Sequence, residues 1–529
     1  KGKHNTRFGG DFRHMWTDLH SSPDPNGTFT FNGSTSGNDF ADFLLGYAAA
    51  AKIQYNAVNY SFSANGYNLF VQDDWRARGN FTLNAGVRYE FISPYTEEHN
   101  RLVNLDPTSG FTSVSTVAPG QNGYSDALVN PQHWNIAPRI GLAWKPFGDK
   151  TVVRAGYSIN YNLGQYRSIV QNLALQPPYS FAETNSVLVE NTCTHSTAQF
   201  ITLDAAFPAL PSTCITNTYG IDPNYRLGYV QMWNLNIQRE LPKSLLLNIG
   251  YSGSKGTALD MVRYPNRLPS GLLDNGAQPY EWETSQGFSI MHGLTVRLRK
   301  RMTNGFSAGA TYTYSKSIDN ASSIGGGAVT VAQNDQDLAA ERGLSSFDQR
   351  HKLSADWLYE LPFGTGKHWL ANGGWAQKAF GDWTISSSIT AGSGMPFTAI
   401  VRGDNLSVAT GTNGSLRAST VPGQSISISD PSLAHWFNTA AFTVPAAGTF
   451  GTAGRNTIIG PGSFVLNMSL MKNFVIKESR NLEIRADAQN FLNHANYSTI
   501  DTVVNSPTFG QVVGVGSMRK ISMSARMRF

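Results

Sequence analysis

The pentapeptide GFSAG at 305–309 has the Gly-x-Ser-x-Gly spacing of a nucleophile elbow, in which a sharp turn between a strand and a helix exposes the serine for acyl transfer. Here Ser307 falls just after a turn, on the polar phase of an alternating stretch, so hydrolase chemistry is not expected. Asp335 and Asp337 in NDQD, with Glu341 nearby, could offer oxygens to calcium, but they lack the spacing and the central Gly of a calcium loop. The eleven histidines show no paired spacing on one face. No catalytic set, metal site or cofactor motif is expected. The charges that share a pattern are Arg88, Glu90, Arg154, Arg297, Arg299, Asp356, Glu483, Arg485 and Asp487. Each occupies the polar phase of a two-residue alternation. In a wet interior such residues could contact a plug or a passing substrate, or they could simply satisfy one another.

Those phases belong to strands. In NFTLNAGVRYEF, Phe81, Leu83, Ala85, Val87, Tyr89 and Phe91 take one face, and Thr82, Asn84, Arg88 and Glu90 take the other. The same period marks SLLLNIGYSG, GFSAGATYTYS, NLEIRADAQ and the closing KISMSARMRF, where the odd-numbered Ile521 to Phe529 should face outward and the even-numbered residues inward. About 14 strands are predicted, near 6–16, 66–76, 79–92, 135–146, 150–162, 228–240, 244–256, 288–301, 305–318, 350–361, 383–398, 463–475, 481–493 and 518–529. Short links such as RARG, PFGD, LPK and RMTN alternate with connections of about 20 to 60 residues, as periplasmic turns alternate with extracellular loops in membrane barrels. The link 362–382 is long where a short turn is expected. A soluble sandwich or propeller would space its strands more evenly.

Composition narrows the class further. The 529 residues include 51 Gly, 12% aromatics and only 15% charged residues, which favours strands and turns over helices. No uncharged apolar run reaches about 18 residues, so transmembrane helices are excluded, whereas spanning strands are not. The longest apolar stretch, FLLGYAAAA at 43–51, reads as a packed loop segment. A net charge of +5 without any basic run gives no sign of nucleic-acid binding. Trp75, Tyr89, Trp144, Tyr161, Trp233, Tyr251, Trp357, Tyr359 and Trp383 lie near strand ends, like interfacial girdles, although cross-strand packing would place aromatics there too. Cys193 and Cys214 share one long outer loop and are expected to form a disulfide, which would stabilise it by roughly 3 kcal/mol in an oxidising compartment; two unpaired thiols are the alternative. The sequence shows no signal peptide at Lys1, so an exported protein is expected to have lost its N-terminus or to be truncated here.

Several segments in order, NLFVQDDWRARGNFTLNAGVRYEF, NIAPRIGLAWKPFGDKTVVRAGYSINY, ERGLSSFDQRHKLSADWLYELPFG, GTFGTAGRNTIIGPGSFVLNMSLMKNF and RADAQNFLNHANYS, resemble the TonB-dependent outer-membrane receptors, specifically their Oar-like branch. The resemblance implies an all-β, antiparallel, up-and-down transmembrane β-barrel in the cell outer membrane. It also implies lipid, lipopolysaccharide, the barrel-assembly machinery, TonB and an extracellular ligand as partners, with Phe529 in the terminal assembly signal. Such receptors carry a plug, a TonB box and about 22 strands. This chain starts inside a strand, HNTRFGGDF, so residues 1–529 are expected to be the C-terminal part of such a barrel, without plug, TonB box or N-terminal β-domain. The sheet is then expected to stay open. Uptake of a scarce ligand such as a siderophore, cofactor, glycan or peptide leads; a passive channel of about 14 strands and a surface adhesion or secretion factor are the alternatives.

Overall fold

The computed structural model describes residues 2–528 apart from 21, 23, 34, 187–200, 208–214, 269–270, 273–276, 278–279, 322–331, 372, 402–415, 447 and 478–479. Among the described residues fourteen long strands follow one another. They are β1 (His4–Leu19), β2 (Tyr60–Arg78), β3 (Phe81–Ile92), β4 (Ile136–Trp144), β5 (Thr151–Tyr161), β6 (Tyr229–Leu241) and β7 (Leu245–Arg263), then β8 (Glu281–Thr303), β9 (Phe306–Asp319), β10 (His351–Glu360), β11 (Trp383–Gly392), β12 (Ser463–Lys477), β13 (Arg480–Gln489) and β14 (Lys520–Arg528). Each pairs antiparallel with its successor, from His4 opposite Trp75 in the first ladder to Asn481 opposite Arg528 in the last. Every strand predicted from periodicity is present. Several, such as β2 and β8, run further outward than a bilayer crossing requires.

Registers carry the apolar phase from strand to strand without a break. One row runs Trp75, Leu83, Leu142, Ala155, Leu235, Tyr251, Leu294, Tyr314. Another runs Phe306, Tyr359, Ile385, Leu470, Ala486, Met523. In β14, Ile521, Met523, Ala525 and Met527 lie opposite Ala488, Ala486, Ile484 and Leu482, while Ser522, Ser524 and Arg526 lie opposite Asp487, Arg485 and Glu483. The expected parity holds, and Phe529 lies outside the described residues. Many residues of the apolar face stand free, among them Phe8, Leu69, Ile140 and Met523. A soluble monomer rarely exposes an apolar patch beyond a few hundred Å², so a belt crossing fourteen strands is a lipid-facing surface.

Turn chemistry explains the tight end. Asn304 and Gly305 both have positive φ, the conformation of a two-residue hairpin turn whose twist matches its strands, and they join Thr303 to Phe306. The exception is the link after β10, which holds a short helix, α3 (Trp375–Phe380), and a bridge between Phe363 and Trp369. At the other end, long connections build a crown that includes α1 (Asp39–Leu45) and α2 (Gln165–Ala174). Buried apolar cores lie there. One gathers Tyr60, Phe62, Leu102, Leu128, Tyr166, Leu173 and Ile221, and another gathers Ala399, Phe437, Phe442, Ile458 and Ile500. In the 43–51 segment the alanines 48, 49 and 51 are packed as expected, but Phe43, Leu44 and Leu45 at the end of α1 are exposed.

Two features bear on closure and direction. Among the described residues β1 has only β2 as a ladder partner and β14 only β13, so the sheet is open, as expected. The spanning strands are all antiparallel. The expectation of a wholly antiparallel sheet needs one correction: Tyr219–Ile221 in the crown pairs parallel with Glu281–Glu283 at the outer end of β8. That segment returns from an outer loop rather than from a periplasmic turn, which lets it enter in the same direction as β8.

Candidate functional site: the polar wall and the crown

Opposite the belt, the inner face of the sheet is a polar wall. Asp11, Asn68 and Glu90 share one register row across β1, β2 and β3. Arg88 Nε donates to Asn68 Oδ1 at 2.7 Å and lies 2.8 Å from Glu90 Oε1, while Arg13 Nε reaches Asp11 Oδ1 at 2.8 Å. Together with Tyr95 and Arg167 these residues line a depression of about 270 Å³. On the far side, Arg485 Nε contacts Asp487 Oδ1 at 2.8 Å and Ser469 Oγ at 3.0 Å, and Arg528 approaches Glu483 at 4.0 Å. Arg299 and Asp356 line one depression with Ser307. Arg154 and Arg297 face neutral partners, the Gln238 amide oxygen and the Thr311 hydroxyl, each at 3.2 Å.

The polar-phase residues therefore form several separate groups along the wall. Nothing in their arrangement converges on a single reacting atom. Ser307 is the second residue of β9, directly after the Asn304–Gly305 hairpin, and no helix follows it, so the elbow geometry is absent. Cys193 and Cys214 lie outside the described residues.

Sequence reasoning missed the crown's ionic ties. Arg417 Nη1 donates to both carboxylate oxygens of Glu341, at 2.8 and 2.7 Å, and its Nε donates to the Ala453 carbonyl at 2.7 Å. Gln333 joins the same knot: its N–H donates to Glu341 and its side-chain oxygen accepts from the Arg417 N–H. Arg455 pairs with Asp319 and donates to the Glu341 carbonyl at 2.9 Å. Arg263, at the outer end of β7, grips Asp335 through Nε at 2.6 Å and Nη2 at 2.5 Å. Asp335 and Glu341, weighed as calcium ligands, are thus already neutralised by guanidinium groups. Asp337 instead caps the turn at 338–341 through the Ala340 N–H.

A second polar cluster lies over the first core. Tyr219 donates its hydroxyl to Glu283, and Gln165 bridges Glu283 at 3.0 Å to Asp260 at 3.2 Å. Burial, with the Glu283 carboxylate beside it, pushes the Tyr219 phenol well above its usual range. Glu97 is sealed in the loop after β3. Its carboxylate accepts from Arg101 Nη2 at 2.7 Å and from the His99 and Arg101 N–H groups at 2.8 Å.

Burial alone would raise the Glu97 carboxyl, but Arg101 and the backbone donors outweigh it and hold the group below the ordinary glutamate range. A depressed carboxyl stabilises fully above its unfolded value, and that contribution is lost as pH falls through the folded one. Protection of the His99 and Arg101 amides, taken relative to the intrinsic exchange rate at each pH, should therefore fall on acidification, and Glu97→Gln should make it low already at neutral pH. Equal, pH-independent protection in both proteins would show that the carboxylate does not hold this loop.

Comparison with known proteins agrees with this architecture. The family described as Outer membrane beta barrel domain matches residues 1–522. Among solved structures, the outer membrane transporter YddB from Escherichia coli is similar at a TM-score of 0.54 and 13% identity, over 99% of this chain and 51% of that one. The FrpB iron transporter from Neisseria meningitidis aligns at a TM-score of 0.45 and 11% identity, over 100% of this chain and 53% of that one. The chain spans about half the length of both. No curated protein matches it by sequence. A lipid-facing belt on fourteen antiparallel strands, a polar wall behind it and a family match over nearly all of its residues place this chain in the outer membrane, as a member of the outer membrane beta barrel domain family.

Proposed function

We propose that residues 1–529 form the C-terminal part of the barrel of an active outer-membrane importer, energised through TonB by parts that lie outside this chain. The observation that carries this reading is the open edge: β1 and β14 share no ladder among the described residues, and unpaired edges cannot rest in lipid. Further strands would complete such a sheet, and a likeness to YddB over about half that chain's length fits this arrangement. The crown supports it as well. Buried ion pairs hold the outer loops in one arrangement, as a surface that selects a scarce ligand requires, whereas a passive pore needs only a lined channel. In this reading the Arg88–Glu90 and Arg485–Asp487 pairs sit where a plug or substrate would meet the wall.

The test compares cells with and without the complete reading frame containing this chain. Growth is followed on limiting ferric siderophore, cobalamin or oligosaccharide, each with the energy-transducing TonB present or deleted. An importer should give a growth advantage on one of these that disappears without TonB. Growth independent of TonB, together with a steady ohmic conductance of the purified protein in planar bilayers, would instead establish the passive channel.

A further inference from the structure

The long link between β10 and β11 ends at the periplasmic rim, where the other described connections are tight turns, and it folds to the outside of the sheet. Its position is fixed by Lys472. In register this residue lies opposite Trp383 and Ile484, so it shares the lipid-facing phase with Leu470 and Phe474. A bare ammonium there would be costly, yet Lys472 is only 2% exposed. Its Nζ donates to the Ala379 carbonyl at 3.1 Å and the Gly381 carbonyl at 2.6 Å, at the C-terminal end of α3, and lies 5.3 Å from the Trp383 ring and 4.9 Å from that of Phe474. Trp383 Nε1 donates to the same Ala379 carbonyl at 3.1 Å. The link is therefore tied down on the belt side of the sheet.

What the tie presents is apolar and uncovered. Trp375 is 77% exposed, Phe380 60% and Trp369 53%, and the Trp375 and Phe380 rings lie 6.4 Å apart on α3. Gln377 turns the other way, donating to Thr365 Oγ1 at 2.9 Å within the link. We infer that residues 363–371 and 373–381 form a membrane foot that seats Trp369, Trp375 and Phe380 in the phospholipid interface of the periplasmic leaflet. The occupant follows from continuity: the foot begins where the lipid-facing belt ends, on the same face and bonded to two of its residues. Its chemistry also fits, because tryptophan and phenylalanine beside lysines suit the boundary between acyl chains and headgroups. Lys378 supplies an exposed cation there.

The experiment places the photocrosslinker p-benzoylphenylalanine at 375 or 380, in the complete reading frame, and irradiates living cells. A third position, 235 on the belt, reports insertion. Phospholipid adducts are expected at all three positions, read as a lipid mass on the corresponding peptides. Lys472→Met should abolish the adduct at 375 and spare the one at 235. Adducts of 375 with a periplasmic protein, or no lipid adduct there while 235 gives one, would overturn the foot. An undiminished yield at 375 in Lys472→Met would overturn the tether. Loss of the adduct at 235 would point to failed insertion and so to the membrane placement itself.

Discussion

Glu341→Ala is expected to release two outer loops at once. The Glu341 side chain is fully buried and the Arg417 side chain is 4% exposed, so truncation would strand a guanidinium in a dry site. Breaking a buried pair from one side costs about 3 to 5 kcal/mol, because the remaining charge is uncompensated. Here the loss would spread. Glu341 also accepts from the Gln333 N–H, and Gln333 in turn holds the Arg417 amide and the Gly451 carbonyl. The Arg417, Ala418 and Ala453 amides, bonded to Gln333, Ala399 and Ala418, should lose protection against hydrogen exchange. The double variant Glu341→Ala with Arg417→Met should recover part of it, since an apolar pair leaves no orphaned charge. Protection unchanged in Glu341→Ala would mean that apolar packing of the second crown core, not the ion pair, holds these loops.

The contrast between wall and crown explains what could be read from the residues alone. Strand positions were legible because a half-buried strand must alternate, and Leu83, Ala85, Val87 and Tyr89 alternate whatever they pair with. Asn304–Gly305 was legible because few residues tolerate two successive positive φ values. The partners of Arg154 and Arg297 were not, since they depend on register, which places Gln238 and Thr311 within reach. The crown ties lie further from sequence. Glu341 meets Arg417 across 76 residues and Asp319 meets Arg455 across 136, through segments with no period to count. Without the guanidiniums in view, the carboxylates at 335 and 341 look like ligands waiting for a cation. The foot was half visible: the length of its link stood out, but its outward fold rests on one lysine in β12.

Leu235→Arg puts the membrane placement itself at risk. Leu235 sits at the middle of β6, opposite Ala155 and Tyr251, and is 44% exposed without lipid. On the belt, an arginine near the bilayer midplane costs about 2 to 4 kcal/mol. Ser252, next to Tyr251 in β7, has the opposite phase and faces the polar wall, so Ser252→Arg enters a wet, charged surface at nearly the same height. Urea unfolding of the complete protein from phospholipid vesicles should therefore show a large loss of stability for Leu235→Arg and almost none for Ser252→Arg. If the apolar face met water, both substitutions would be ordinary surface changes within about 0.5 kcal/mol of the parent. If the register were shifted by one residue, the penalties would exchange, because a slip of one position turns every side chain of a strand to the other face. Only a lipid-facing belt with the observed register makes the leucine costly and the serine free.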